Sequence, residues 1–110
     1  MRKVSREVIT AFLKGETRKV DNTYSHGGFL YLYGNQIASN VNGAIRIFDG
    51  GFSSATTKER LNALLTLMND SGKYEMVADC IYQKNFQWFI RYNNGNDGAF
   101  LNGTCVGVKK

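Results

Sequence analysis

The sequence predicts an α+β fold: two helices packed on one face of an antiparallel sheet, in the order roughly α-β-β-β-α-β-β-β, as a single domain over residues 1–110. Three observations lead there. Two segments carry apolar residues at helical spacing. Between and after them run stretches of alternating side chains, clearest in FLYLY at 29–33. Proline is absent while glycine reaches 12, so turns must be made by Gly, Asn and Asp, the residues of short hairpins. Helices set apart from antiparallel strands gather on one sheet face.

The first helix reads SREVITAFLKG. Ser5 suits its N-cap, where a hydroxyl accepts from an orphan backbone N–H. Val8, Ile9, Phe12 and Leu13 form one apolar stripe, Val4 and Ile9 sit at the positions of a hydrophobic staple, and Gly15 ends the helix. TRKV is a short charged edge strand and DNTYSHGG a loop. FLYLY is a strong strand, GN at 34–35 turns the chain, QIASNV returns, NG at 42–43 makes a tight hairpin and AIRIF follows. DGG at 49–51 closes this meander.

The second helix reads TTKERLNALLTLMND. Thr56 and Glu59 match a capping box, Leu61, Leu64, Leu65 and Met68 recur at i, i+3, i+4 and i+7, and Gly72 stops it. KYEMVADCIYQ is the next strand, Lys84-Asn85 a turn, FQWFIRY the return, NNGNDG a polar loop, and AFLNGTCVGVKK a last hairpin-like segment. Helix followed by meander occurs twice, a pattern of internal repetition with little sequence match behind it.

Several function classes fall away. No apolar run approaches 18 residues, so no membrane span is expected, and the N-terminal segment lacks the apolar core of a secretory signal. Cys80 and Cys105 are then expected as reduced thiols. With His26 the sole histidine, Cys and His ligands are too few for structural zinc. No phosphate-binding glycine loop occurs, and NNGNDG holds one acid, too few for calcium. No cofactor is expected. His26 lies in a glycine-rich loop without a fixed partner, so binding is expected rather than catalysis.

The net charge is +5, and residues 1–20 hold +4 of it through Arg2, Lys3, Arg6, Lys14, Arg18 and Lys19 against Glu7 and Glu16. A concentrated basic end favours a polyanionic partner, although it also serves solubility. In FLYLY one face is aliphatic and the other, Phe29, Tyr31 and Tyr33, is aromatic. Helices over one side place Leu30, Leu32, Ile45, Ile47, Trp88 and Ile90 in the core. The opposite side then presents Tyr31, Tyr33, Arg46, Phe48, Phe89 and Arg91. Rings interleaved with guanidinium groups suit nucleic acid, because bases stack and phosphates pair. The same face also suits a protein or homodimer interface, or plain cross-strand packing.

Four segments in order, VSREVITAFLKGE, VDNTYSHGGFLYLYGNQIA, GGFSSATTKERLNALL and QKNFQWFI, resemble small accessory proteins of tailed bacteriophages over most of residues 4–92. Members of that group share a short helix, an L-x-L-x-G-N-x-I-A hairpin, an aromatic residue ahead of a T-x-T-T-x-x-R-L-N helix start, and a Q-K-x-x-x-W strand. The resemblance implies the host bacterial cytoplasm and a counter-defence role. Some such proteins bind RNA, among them an inhibitor of a toxin–antitoxin ribonuclease.

The sequence thus leads to a stoichiometric RNA-binding protein directed at a host defence system such as a ribonuclease toxin. Arg2, Lys3, Arg6, Lys14, Arg18 and Lys19 are expected on phosphates, with Tyr31, Tyr33, Arg46, Phe89 and Arg91 supplying stacking and further charge. The rival is a protein-only inhibitor or adaptor that grips a host defence enzyme through the same face.

Overall fold

The computed structural model describes residues 2–51 and 53–110. The aromatic residue heading the helix-start motif, Phe52, lies outside them. Helix α1, Lys3–Leu13, buries Val8, Ile9, Ala11 and Phe12. It ends in a Schellman turn: Gly15 has φ 75°, its N–H donates to the Phe12 carbonyl at 3.1 Å, and the Glu16 N–H donates to the Ala11 carbonyl at 2.8 Å. Ser5 is not its cap. Arg2 holds that position with extended backbone and no side-chain bond, and Ser5 is buried inside the helix. Helix α2, Ala55–Ser71, buries the expected Leu61, Leu64, Leu65 and Met68, and stops at left-handed Gly72. Its cap is Ser54, whose Oγ accepts from the Thr57 N–H at 3.1 Å, so the Thr56–Glu59 capping box is not formed. Glu59 reaches Ser5 of α1 instead.

The chain between the helices is an antiparallel meander of β1 (Arg18–Val20), β2 (Thr23–His26), β3 (Phe29–Leu32), β4 (Asn35–Val41) and β5 (Ala44–Ile47). Each connection is a two-residue turn, since Val20 pairs with Thr23, His26 with Phe29, Leu32 with Asn35 and Val41 with Ala44. Asn42 and Gly43 both take positive φ, 54° and 82°, as expected of an Asn-Gly hairpin. The other expected turn shifts by one residue: Tyr33 and Gly34 form it, at φ 52° and 80°. Tyr33 therefore belongs to a turn and not to the sheet face.

The expected loop 21–28 contains strand β2. Its inward residues, Thr23 and Ser25, are polar, which hides its periodicity. They are buried because they serve polar partners: Thr23 Oγ1 accepts from Arg60 Nε at 2.9 Å, and the Ser25 hydroxyl donates to the Glu16 carbonyl at 2.8 Å.

The second half of the chain departs from a single sheet. Strands β6 (Tyr74–Met76) and β10 (Thr104–Lys109) extend the first sheet to the order β1-β2-β3-β4-β5-β10-β6. Strands β7 (Ala78–Lys84), β8 (Gln87–Tyr92) and β9 (Asp97–Ala99) form a separate three-stranded sheet. KYEMVADCIYQ, expected as one strand, divides at Val77. There the N–H donates to the Val106 carbonyl and the carbonyl accepts from the Asn93 N–H, both at 2.9 Å. One residue thus bonds to β10 of the large sheet and to the residue just after β8 of the small one, and the chain crosses between them.

Helix α1 lies on β1, β2 and β3, while α2 runs beside α1 and reaches β4 and β6 in one sheet and β7 in the other. A continuous core joins these layers, including Leu30, Leu32, Ile45, Ile47, Trp88 and Ile90 as expected. Among the described residues no helix is long and apolar enough to cross a membrane.

Candidate nucleic-acid interface

Strand parity sends Tyr24, His26, Phe29 and Tyr31 to the face of the large sheet opposite α1, while Thr23, Ser25, Leu30 and Leu32 go inward. The rings form a ladder. Tyr24 stacks on His26 at 5.7 Å and 7°, and on Tyr31 at 6.0 Å and 28°, and Tyr31 meets Phe29 at 6.3 Å and 47°. Register places polar groups in the same rows. Lys19 pairs with Tyr24, Tyr24 with Tyr31, and Tyr31 with Gln36. The neighbouring row runs from His26 through Phe29 and Ser39 to Arg46. Arg46 is exposed and donates through one guanidinium nitrogen to the Gly103 carbonyl at 2.9 Å. At one end of the ladder a recess of about 310 Å³ is lined by Lys19, Asp21, Asn22, Tyr24, Tyr31 and Tyr33. Tyr33, 66% exposed, thus joins the site from its turn and not from the strand.

The N-terminal cations do not join it. Arg2, Lys3, Arg6 and Lys14 are carried by α1 or its caps, on the covered side of the sheet. Arg18 points the same way: it bonds Glu7 of α1 at 3.0 Å, and Lys3 lies 3.9 Å from the same carboxylate. Glu7 thus offsets part of this basic region. Of the six expected cations Lys19 alone shares the ladder's face, because it is one residue out of phase with Arg18.

Phe89 and Arg91 also lie elsewhere. Parity within β8 is as expected, with Trp88 and Ile90 inward, but the strand belongs to the small sheet. There Tyr82 stacks on Phe89 at 5.7 Å, and the Arg91 guanidinium carbon lies 5.3 Å from the Tyr82 ring centre. Asp97 accepts from Arg91 Nε at 3.1 Å and from the Tyr82 hydroxyl at 2.5 Å. Those bonds, Arg91's first, hold the Asp97 carboxyl below its usual range, while the bond to Asp97 pushes the Tyr82 hydroxyl up. Arg91 is therefore an ion-paired group, less available to a phosphate than Lys19.

Tyr24 was not expected in the site. Its signal is the alternation Thr-Tyr-Ser-His, legible only once a polar inner face is allowed for. The His26 ring is part of the ladder, with Nδ1 3.3 Å from the Thr17 hydroxyl. No cluster of three or more His, Cys, Asp or Glu groups suited to a metal ion occurs among the described residues.

Neither the curated proteins nor the solved structures contain a match to this chain. A family model does match it: the model described as Kyanoviridae Gp96 protein aligns with residues 1–107, which takes in all but the end of β10 and the whole aromatic ladder. The chain belongs to the Kyanoviridae Gp96 protein family and is a small cyanophage protein.

Proposed function

We propose that this phage protein binds single-stranded nucleic acid, RNA in preference to DNA, on the outer face of its large sheet. It acts stoichiometrically there, against a host defence factor such as a ribonuclease toxin. The observation that carries the reading is the ladder of four rings at 5.7–6.3 Å, flanked in register by Lys19 and Arg46. Rings so spaced offer platforms to splayed bases, and the flanking cations answer the phosphates. The recess beside Tyr31 favours RNA: the Asp21 carboxylate is an acceptor for a 2′-hydroxyl, which DNA lacks. The counter-defence role draws its support from the resemblance to phage accessory proteins.

Fluorescence anisotropy with labelled single-stranded RNA, single-stranded DNA and duplex tests the reading across a salt series. Tyr24→Ala and Tyr31→Ala are each expected to cost about 1–3 kcal/mol. Affinity should fall steeply with salt as phosphate contacts release counterions. Equal binding by wild type and both variants, or affinity indifferent to salt, overturns it.

A second reading has its own observation. Phe86, at the tip of the β7–β8 hairpin, is 97% exposed and holds φ 64°, a conformation costly for a bulky residue. An exposed aromatic held at such cost suits an anchor for a protein pocket. Crosslinking in infected cells separates the two. A crosslinked protein lost on Phe86→Ala but kept on Tyr31→Ala, with no nucleic acid recovered, selects the protein-binding alternative.

A further inference from the structure

We propose that the cleft between the C-terminal ends of α1 and α2 binds a small organic anion: a carboxylate or phosphate head on an apolar body. The cleft encloses about 450 Å³, within the range of small-molecule sites. It lies on the helical side of the large sheet, away from the aromatic ladder. Leu13 and Leu67 give it apolar walls that continue into the core. Lys14, Lys73 and Lys109 surround it, against Asp70 as the single acid.

Tyr74 supplies the second observation. This residue lines the cleft and is only 7% exposed, yet its hydroxyl has no hydrogen-bond partner among the described residues. Nor is that oxygen sealed in the core, since no fully buried side-chain polar atom there lacks a partner. The oxygen therefore opens on the cleft, where the O–H can donate to a bound anion in place of water.

The backbone fixes these groups in place. Tyr74 pairs with Lys109 across β6 and β10, and the Lys110 N–H donates to the Lys73 carbonyl at 2.9 Å. Lysines beside helix C-termini also complement helix dipoles. That accounts for Lys14 and Lys73 alone. Lys109 belongs to a strand, and both helix ends already satisfy carbonyls internally, through Gly15 and Glu16 in α1 and through the Ser71 hydroxyl and Gly72 in α2. A hydroxyl donor, three ammonium groups and an apolar wall together fit an amphiphilic anion. They do not fit a cation or an uncharged chain.

The test is a ¹H–¹⁵N correlation spectrum of the full chain titrated with octanoate and with octyl phosphate, which separates the two head groups. Octylamine and octanol serve as controls. Saturable shifts are expected at Leu13, Lys14, Leu67, Lys73, Tyr74 and Lys109 with at least one of the anions. Tyr74→Phe should weaken binding about tenfold, the loss of one hydrogen bond to a charged group, without changing shifts elsewhere or the urea midpoint. Lys73→Ala with Lys109→Ala should weaken it further, and salt should do the same. Absence of saturable shifts, shifts centred outside the cleft, equal binding of octylamine or octanol, or full affinity in Tyr74→Phe each overturns the proposal.

Discussion

Arg60 Nε donates to Thr23 Oγ1 at 2.9 Å, tying the second turn of α2 to the inner face of β2. Arg60 is 1% exposed and each of its three guanidinium nitrogens is bonded: it also reaches Ser5 of α1 at 3.1 Å, Asn22 of the β1–β2 turn at 3.1 Å, and the Glu59 carboxylate. One buried charge thus holds both helices and the start of the sheet together.

Arg60→Ala leaves the Ser5, Thr23 and Asn22 groups short of a donor and opens space among them. It is expected to destabilise by about 3–5 kcal/mol. Thr23→Val leaves one buried N–H unpaired and should cost about 1–3 kcal/mol. Urea unfolding checks both; a loss below 1 kcal/mol in Arg60→Ala would show that the network is dispensable.

The cap of α2 separates two neighbouring residues. Ser54→Ala removes the hydroxyl that accepts from the Thr57 N–H and should cost about 1 kcal/mol. Thr56→Ala is expected to be nearly silent, because Thr56 is not the cap. The reverse ranking of urea midpoints would restore the Thr56–Glu59 capping box.

Phe86 occupies the second position of a two-residue turn, where Asn-Gly is the favoured pair. Phe86→Gly relieves the left-handed conformation and removes no packing, since the ring is exposed. A gain of about 1 kcal/mol is expected from a urea titration. A loss of stability would mean that the ring supports the fold.

The Asp97 site carries a pH signature. Its carboxyl is held below the ordinary 3.8 by bonds from Arg91 and then Tyr82, so its stabilising contribution is full above 3.8 and fades as pH falls through the lowered value. The Tyr82 hydroxyl is held above its ordinary 10.0, chiefly by its bond to Asp97, so its contribution is full below 10.0 and fades as pH rises through the raised value. Asp97→Asn should return the Tyr82 titration, followed by ultraviolet difference absorbance, towards 10.0. An unmoved Tyr82 curve would assign its shift to another cause.

The candidate site was half legible. Tyr31, Phe29 and Arg46 could be placed by parity, because alternation along a strand is a local property of the chain; Lys19 was reached only as one of the cations of residues 1–20. Tyr24 could not, since its strand turns hydroxyls inward to a guanidinium supplied by a helix 37 positions later in the chain. Arg18 and Arg91 could not be judged either. Each is offset by a carboxylate, Glu7 or Asp97, that only folding brings near.

By itself the amino-acid order determined the α+β class, the two helices with their apolar stripes, the Asn42–Gly43 hairpin and which face of each strand turns inward. The facing so determined is that of FLYLY, AIRIF and FQWFIRY; all these features depend on spacing within a few residues, where backbone geometry dictates direction. Only the tertiary structure decided that β7, β8 and β9 leave the large sheet, that most of the N-terminal cations lie across the sheet from the aromatic rings, and that Arg60 is buried. Those outcomes depend on which distant strands and charges meet, and pairing over such separations is set by the packing of the whole core rather than by any local pattern.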